Sequence, residues 1–188
     1  MINFKIIRLL DLTLSCILLL LLLPINIILL MICFLESGKP IFIQERIGKN
    51  QKIFKLIKFR TMELNTPSLA SHLIKKDSVT KFGLVIRLLK LDEFPQLINV
   101  IKGEMSLVGP RPCLPNQKEL INERQKHNIF RYKPGITGLA QINGIDMSNP
   151  QTLTNYDKEM IKNFNTFNYF KYLILTIIGK GRGDKVSY

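Results

Sequence analysis

Two adjacent acidic residues, Asp92 and Glu93, stand in the segment KLDEFPQL of a strongly basic chain. The 188 residues include 27 Lys and Arg but only 14 Asp and Glu, which gives a formal net charge of +13. A structural role would suffice for the pair: Asp92 would be the N-cap of a helix that ends at Gly103, and Glu93 would favour the positive end of its dipole. A chemical role requires further groups whose spacing points to a ligand.

Two later segments supply such groups. In GPRP, two prolines fix the backbone around Arg111, whose guanidinium is suited to bidentate contact with a phosphate. The segment RYKPGITGLAQING, residues 131–144, has glycines at short intervals, so its backbone can approach a ligand closely. Together with the net charge, these segments predict a site for a phosphorylated ligand, although the charge alone fits nucleic acid or an anionic membrane equally well.

Residues 12–35, LTLSCILLLLLLPINIILLMICFL, carry no charge and are long enough to cross a bilayer core as a helix. Pro24 lies at the centre of this segment and predicts a kink or a break. Basic residues flank both ends, Lys5 and Arg8 before it and Lys39 after it. Since cytoplasmic flanks are enriched in Lys and Arg, the pattern favours a re-entrant helical hairpin in the cytoplasmic leaflet. A kinked transmembrane helix is the alternative, and replacing Pro24 by alanine is expected to straighten the segment into a span.

The rest of the chain predicts a small domain of mixed secondary structure. Residues 40–59 alternate apolar and polar around Gly48-Lys49-Asn50, as a β-hairpin does, whereas residues 63–77 are expected to form a mobile loop. Residues 79–89 are expected to be helical, and residues 163–178 to form a helix that is buried or lies in the membrane interface.

The expected fold is therefore α+β: a re-entrant membrane helix hairpin over residues 1–38, then a cytoplasmic domain over residues 39–188. That domain would contain a short β-hairpin and interfacial amphipathic helices. The three cysteines, Cys16, Cys33 and Cys113, have no spacing typical of zinc sites or disulfide frameworks and are interpreted as small hydrophobic residues in a reducing compartment.

The combined motifs closely resemble the small monotopic phosphoglycosyl transferases of the bacterial sugar transferase family, over almost the entire chain. The matching segments are the apolar run with its central proline, QERIG at 44–48, KFRTM at 58–62, LDEFPQLINVIKGEMSLVGPRP at 91–112 and KPGITGLAQINGI at 133–145. Two departures stand out, because family members often have serine where Leu23 precedes Pro24, and paired tyrosines after the position of Asp157.

The resemblance implies transfer of a sugar 1-phosphate from a UDP-sugar to polyprenyl (undecaprenyl) phosphate, with release of UMP. By motif, Asp92 would be the nucleophile that forms a covalent phosphosugar intermediate, and Glu93 its metal-binding or proton-handling partner. Mg²⁺ would be held by Asp92 and Glu93. Substrate-binding candidates carried over in the same way are Lys58, Arg60, Arg87, Arg111, Gln141 and Asp157. For Arg60 and Arg87, a structural salt bridge remains an equal alternative.

The resemblance also implies a monotopic protein on the cytoplasmic face of the inner membrane, in contact with membrane lipids, and leaves a homodimer open. No nucleic-acid partner is expected, because the sequence has no recognisable nucleic-acid-binding fold. The competing function is a non-catalytic, membrane-tethered basic module that binds anionic lipid or nucleic acid. Such a module would lose little from Asp92→Asn, whereas the enzyme would lose its activity.

Overall fold

The computed structural model describes residues 4–67 and 76–181 and confirms an α+β fold. Two apolar helices come first, α1 (Phe4–Leu21) and α2 (Leu23–Ser37), followed by the strands β1 (Ile41–Ile47) and β2 (Ile53–Phe59). The later elements are short: α3 (Lys81–Leu88), α4 (Gln96–Lys102), β3 (Ser106–Val108), α5 (Lys118–Lys126), β4 (Gly135–Thr137), α6 (Leu139–Ile142), α7 (Pro150–Lys162) and α8 (Thr166–Ile177).

The predicted β-hairpin is confirmed: β1 and β2 pair antiparallel from Ile41 opposite Phe59 to Ile47 opposite Ile53. Its turn contains Asn50 in the left-handed region, with φ 54°, a conformation that asparagine tolerates better than most residues. The alternation along β1 buries Gln44 and Arg46 and leaves Ile43 and Glu45 exposed. The hairpin thus directs two polar side chains into the domain.

A second sheet joins two segments that the sequence analysis treated as ligand-binding turns. Strands β3 and β4 pair in parallel, with Ser106 opposite Gly135 and Val108 opposite Thr137. A Cβ on Gly135 would lie 2.0 Å from the Gly109 nitrogen, and one on Gly109 would lie 2.4 Å from the Lys133 oxygen. These glycines therefore allow two backbones to pack together, whereas Gly144 has open space and lines a pocket.

Three clusters of buried apolar residues hold these elements together. The largest joins α1, β2, α4, β3, α7 and α8 through residues such as Ile7, Leu56, Val100, Leu107, Met160 and Tyr169. A second cluster packs α5, α6 and α7 against the end of β1, and a third packs α2 and α3 against Phe59 of β2. Cys33 and Cys113 are fully buried in these clusters and Cys16 is exposed, and all three are free. Burial raises the pKa of the Cys113 thiol.

In the described part of the chain, no single helix has both the length and the apolar character needed to cross a membrane, but α1 and α2 together do, as a pair bent by 66°. The bend lies at Leu22, so Pro24 occupies the first turn of α2 rather than the break itself. Proline is tolerated in the first turn of a helix because the first helical N–H groups have no intrahelical acceptor. Its ring clashes with a carbonyl of the preceding turn, which favours a break just before it. The expected helix break is thus present, two residues earlier than Pro24.

Both ends of this bent pair are attached to the same folded domain. Near the start of α1, Arg8 donates hydrogen bonds to the carbonyls of Val100 (2.6 Å) and Ile101 (2.8 Å) at the end of α4. One turn later, the Asp11 carboxylate is buried and accepts bonds from the Ser106 hydroxyl, the Leu107 N–H and the Tyr169 hydroxyl.

At the end of α2, Glu36 accepts hydrogen bonds from the Thr80 hydroxyl (2.6 Å) and the Phe82 N–H (3.1 Å) at the start of α3. This contact and those of Arg8 and Asp11 bring the two outer ends of the bent pair to one body.

The helix that was expected over residues 79–89 is α3, which begins after its N-cap Thr80. Its apolar side chains mostly lack a protein partner, since Phe82, Val85 and Leu89 are each more than half exposed while Ile86 is buried. A similar pattern holds for α8, where Tyr169 and Tyr172 are buried and Phe167, Ile174 and Ile177 are exposed. Exposed apolar residues on both helices agree with the amphipathic character predicted for them.

Of the expected mobile loop, residues 68–75 lie outside the described residues. The described ends are joined to the domain: Glu63 N–H donates to the Ser78 carbonyl at 3.0 Å, and Met62 forms an antiparallel bridge with Val79. These contacts place the start of the segment beside α3.

Candidate active site

The acidic pair lies on a short 3₁₀ turn, Leu91–Glu93, and not at the start of a helix. Helix α4 begins only at Gln96, with Pro95 at its N-cap position and no side-chain cap, so the expectation that Asp92 caps a helix is wrong. The turn follows Lys90, which has a left-handed backbone with φ 58°. Residues other than glycine are uncommon in the left-handed region. Here Lys90 reverses the chain direction after α3. The reversal brings the carboxylates back towards β2.

Lys58 of β2 forms ion pairs with both carboxylates. Its ammonium lies 3.9 Å from the Asp92 carboxylate and 3.5 Å from that of Glu93. All three side chains are largely buried, with exposed fractions of 13%, 7% and 15% for Lys58, Asp92 and Glu93. The ammonium offsets part of the negative charge of the two carboxylates.

Most of the predicted site residues meet in two adjoining pockets. One is lined by Asp92 and Glu93 together with Arg87, Arg111 and Gln141. The other lies towards the β-hairpin and is lined by residues that include Lys58, Arg60, Arg87 and Asp92. Since Asp92 and Arg87 line both, the nucleophile candidate lies where the two pockets meet, with basic side chains on each side.

Arg111 is held by a buried network beneath the pocket. The Arg124 guanidinium donates to the backbone carbonyl of Arg111 at 2.7 Å and to the Asp157 carboxylate at 2.9 and 2.7 Å. Arg124 and Asp157 are almost completely buried, with side-chain exposures of 2% and 1%. Asp157 does not line either of the two pockets around Asp92; it lies one side chain behind Arg111.

Arg60 lines the hairpin-side pocket but is also engaged with the backbone. Its Nε donates to the Lys39 carbonyl at 2.9 Å, and its guanidinium lies 5.4 Å from the ring centre of Phe42. These contacts link the end of β2 to the residues that follow α2. The structural alternative raised for Arg60 was a salt bridge. The structural contacts described here are instead with a backbone carbonyl and an aromatic ring.

Gln141 lies on α6 and is buried, with its side-chain N–H donating to the Gly109 carbonyl at 3.2 Å. This bond connects the GPRP turn to the glycine-rich segment at the pocket wall. Of the eight site residues named from sequence, seven line the two pockets, and Asp157 supports the pocket from behind.

Sequence reasoning missed three charged residues of the site. Arg46 lines the hairpin-side pocket, where its guanidinium donates to the Gln44 side chain and, at 2.9 Å, to the Pro112 carbonyl. Lys90 and Asp146 line the other pocket. The signal for Arg46 was present, because QERIG places two polar residues on the inward face of an alternating strand. Nothing local in the sequence marks Lys90 or Asp146.

The two carboxylates of Asp92 and Glu93 suit a hard divalent cation that a bound ligand would also coordinate. In residues 4–67 and 76–181 there is no group of three or more His, Cys, Asp or Glu side chains that could hold a metal by itself. Asp92 and Glu93 nevertheless offer carboxylate oxygens on the wall of an open pocket. Mg²⁺ is commonly held by one or two carboxylates together with substrate phosphates and water, so the two residues fit such an ion.

Comparison with known proteins identifies a family that covers most of the chain. The family described as "Bacterial sugar transferase" matches residues 2–181. The sugar transferase EpsL of Bacillus subtilis strain 168 is 40% identical over 173 residues, which are 90% of this chain and 84% of EpsL.

Two longer relatives have more specific names. The undecaprenyl-phosphate glucose phosphotransferase of Komagataeibacter xylinus is 43% identical over 146 residues, covering 73% of this chain and 27% of that protein. The UDP-galactose-lipid carrier transferase of Erwinia amylovora is 36% identical over 177 residues, covering 84% and 36%. The chain thus spans only about a third of the length of several of its curated relatives. The match over nearly all of its residues confirms the predicted resemblance: this chain belongs to the bacterial sugar transferase family.

Proposed function

We propose that this protein transfers a sugar 1-phosphate from a UDP-sugar to a polyprenyl phosphate and releases UMP, a membrane step of polysaccharide biosynthesis. The observation that carries the proposal is the position of Asp92 at the junction of two basic pockets, 3.9 Å from Lys58. The names of the Komagataeibacter and Erwinia relatives point to the same donor and acceptor classes.

In the first step, a carboxylate oxygen of Asp92 attacks the β-phosphorus of the UDP-sugar. A bond forms between that oxygen and phosphorus, and the bond from the β-phosphorus to the bridging oxygen breaks, so UMP leaves with the electron pair. In the second step, a phosphate oxygen of the polyprenyl phosphate attacks the same phosphorus and releases the Asp92 carboxylate. The product is a polyprenyl diphosphosugar.

The chain's own residues address the main barrier, which is repulsion between an attacking carboxylate and an anionic diphosphate. Lys58, Arg87 and Arg111 line the pockets on either side of Asp92 and offset negative charge there. Glu93 and Asp92 would hold Mg²⁺, which supplies further neutralisation of the diphosphate when bound. The buried Arg124 donates to the backbone carbonyl of Arg111 and so helps to fix the position of this residue's backbone beside the pocket.

We also propose that α1 and α2 form a re-entrant hairpin in the cytoplasmic leaflet. The contacts of Arg8, Asp11 and Glu36 support this, because they hold both outer ends of the pair on one body. With both legs tilted equally, helices of 18 and 15 residues bent by 66° would reach a depth of about 12–15 Å, roughly half of a bilayer core. The apex would then remain in one leaflet.

The test is UMP release by the purified protein, supplied with polyprenyl phosphate, Mg²⁺ and a panel of UDP-sugars. We expect release with at least one donor and loss of release in Asp92→Asn. Without acceptor, intact mass should show a phosphosugar adduct on the wild type. Asp77→Asn is the matched control, because it removes one exposed carboxylate outside the pockets.

No UMP from any donor, with folded protein, would count against the enzyme and favour the non-catalytic basic module. An adduct that persists in Asp92→Asn would leave the reaction class intact but remove Asp92 from the role of nucleophile.

A further inference from the structure

A separate cavity of about 210 Å³ lies against α1, on the other face of the GPRP turn. Gly109 and Pro110 of this turn line the cavity, whereas Arg111 lines the pocket of the acidic pair. The residues that line this cavity do not include any of those that line the two pockets around Asp92. The proposed reaction therefore leaves the cavity unused.

The walls of this cavity are mainly apolar, and its other side chains are mainly cationic. Apolar walls come from α1 and α7 and the residues after it, including Phe4, Ile7, Ile161 and Phe164. Four cations line it as well: Arg8, Lys49, Arg131 and Lys133. Asp11 is the one carboxylate in its lining, and that group is buried and bonded to Ser106, Leu107 and Tyr169.

The four cations repel one another, and the single carboxylate in the lining, Asp11, offsets only part of their charge. Within the described ranges, Lys49, Arg131 and Lys133 form no salt bridge with a carboxylate. Burial, together with the positive charges of Arg8 and Lys49, lowers the pKa of Lys133. An anion bound among these side chains would relieve that repulsion, and Lys49 and Arg131 are exposed and open to it.

We propose that this cavity binds one anionic phospholipid, with its phosphate among Lys49, Arg131 and Lys133 and part of one acyl chain along Phe4, Ile161 and Phe164. The inference rests on the membrane placement proposed above, in which the start of α1 lies at head-group depth. A volume near 210 Å³ is below that of a typical site for an entire drug-sized molecule, so it suits part of one chain. A purely apolar void would lack the cationic lining, and a free phosphate would not use the apolar walls.

The test is native mass spectrometry of the detergent-solubilised protein with phosphatidylglycerol, with phosphatidylcholine of the same chains, or with inorganic phosphate. The rim variant Lys49→Ser/Lys133→Ser removes two cations, and the wall variant Ile161→Trp fills the apolar side. The matched control, Lys52→Ser/Lys118→Ser, removes the same charge from exposed residues outside the cavity.

We expect phosphatidylglycerol to bind the wild type more tightly than phosphatidylcholine, and the rim variant to lose about tenfold in that affinity. Ile161→Trp should lower binding with the charges intact, and the control should stay within about twofold of the wild type. Thermal unfolding identifies a variant that fails to fold. If the wall variant fails, the comparison of the rim variant with its control decides the question alone.

Equal binding of the two phospholipids, or an equal loss in rim and control variants, would overturn the inference. Displacement of phosphatidylglycerol by inorganic phosphate would show a simple anion site instead, and displacement by polyprenyl phosphate would make the cavity an acceptor site. UMP release is measured on the same proteins. Release without selective lipid binding defeats only this inference, and lipid binding without release defeats only the proposed function.

Discussion

Asp157 is a residue whose contacts differ from those that its place in the motif would suggest. It was expected to bind substrate, yet its carboxylate contacts Arg124, and Arg124 contacts the backbone of Arg111. In this arrangement Asp157 is a positioning residue, because it acts on the pocket only through a second side chain. Helix α5, which carries Arg124, also carries the ion pair of Glu123 with Lys126, which lies nearer the surface and offers a direct comparison.

Asp157→Asn should destabilise the protein by about 3–5 kcal/mol, because it leaves the buried Arg124 guanidinium without its compensating charge. Glu123→Gln should change the free energy of unfolding by less than about 1 kcal/mol, since exposed pairs contribute little. Denaturation midpoints in the same detergent measure both effects.

Activity separates positioning from a purely structural role. In protein that remains folded, Asp157→Asn should lower kcat/KM for UMP release by moving Arg111, while Glu123→Gln leaves it unchanged. Equal stability losses in the two variants would contradict the account of the buried pair, and full activity in folded Asp157→Asn would contradict positioning.

At the scale of elements, α3 presents an apolar face that the protein does not cover. Phe82, Val85, Leu88 and Leu89 are each more than half exposed, although Ile86 and Gly83 on the same helix are buried. An uncovered apolar face beside the end of α2 suits insertion into the head-group region of a membrane. Glu36 sets the start of α3 next to the end of α2, which is proposed to lie in the membrane.

The chain has no tryptophan, so a single one can report on this face. Phe82→Trp in vesicles containing brominated lipid should show quenched, blue-shifted emission, because its exposed ring would lie among acyl chains. Lys118→Trp, on the exposed side of α5, is the matched control and should show neither effect. Equal quenching at both positions, or none at Phe82→Trp, would place α3 away from the interface.

The elements that could be predicted were those with a strong local pattern. The β1–β2 hairpin followed from alternation and a Gly-Lys-Asn turn, and the bent helix pair from an uncharged run with a central proline. The parallel β3–β4 sheet could not be anticipated, since it pairs two three-residue strands far apart in sequence. Its formation explains why Gly109 and Gly135 are glycines, although Gly135 belongs to the segment whose glycines had been interpreted as room for a ligand.

The candidate site was predictable for a different reason. Resemblance to a family singled out Asp92, Glu93, Arg87 and Arg111, and the fold brings these four residues to one pocket. The 3₁₀ turn at Asp92 was missed because its cause, the left-handed Lys90, has no glycine or asparagine to mark it. Burial of Arg124 likewise depends on packing between α5 and α7, which no local pattern encodes.

For the whole molecule, the main consequence of these contacts is that the bent pair of α1 and α2 forms one body with the domain. Arg8 and Asp11 join α1 to α4, β3 and α8, while Glu36 joins α2 to α3. A transmembrane arrangement would have to place the start of α1 across the bilayer from the domain. It would therefore break the buried Asp11 contacts, and leaving such a carboxylate without its donors is costly.

The membrane orientation can be read from one cysteine at residue 3. In a variant that lacks the native cysteines, Asn3→Cys should resist a membrane-impermeant thiol reagent on intact cells and react after permeabilisation. Adding Pro24→Ala should leave this result unchanged, because Arg8, Asp11 and Glu36 still hold both ends of the pair on the domain. This revises the expectation from sequence, in which the proline alone prevents the segment from spanning.

A cysteine at Asn143, exposed on the domain, is the matched control and should label in the same pattern. Labelling of residue 3 from outside in the otherwise wild-type background would establish a kinked transmembrane helix instead. Outside labelling that requires Pro24→Ala would mean that the proline dominates over the three polar contacts.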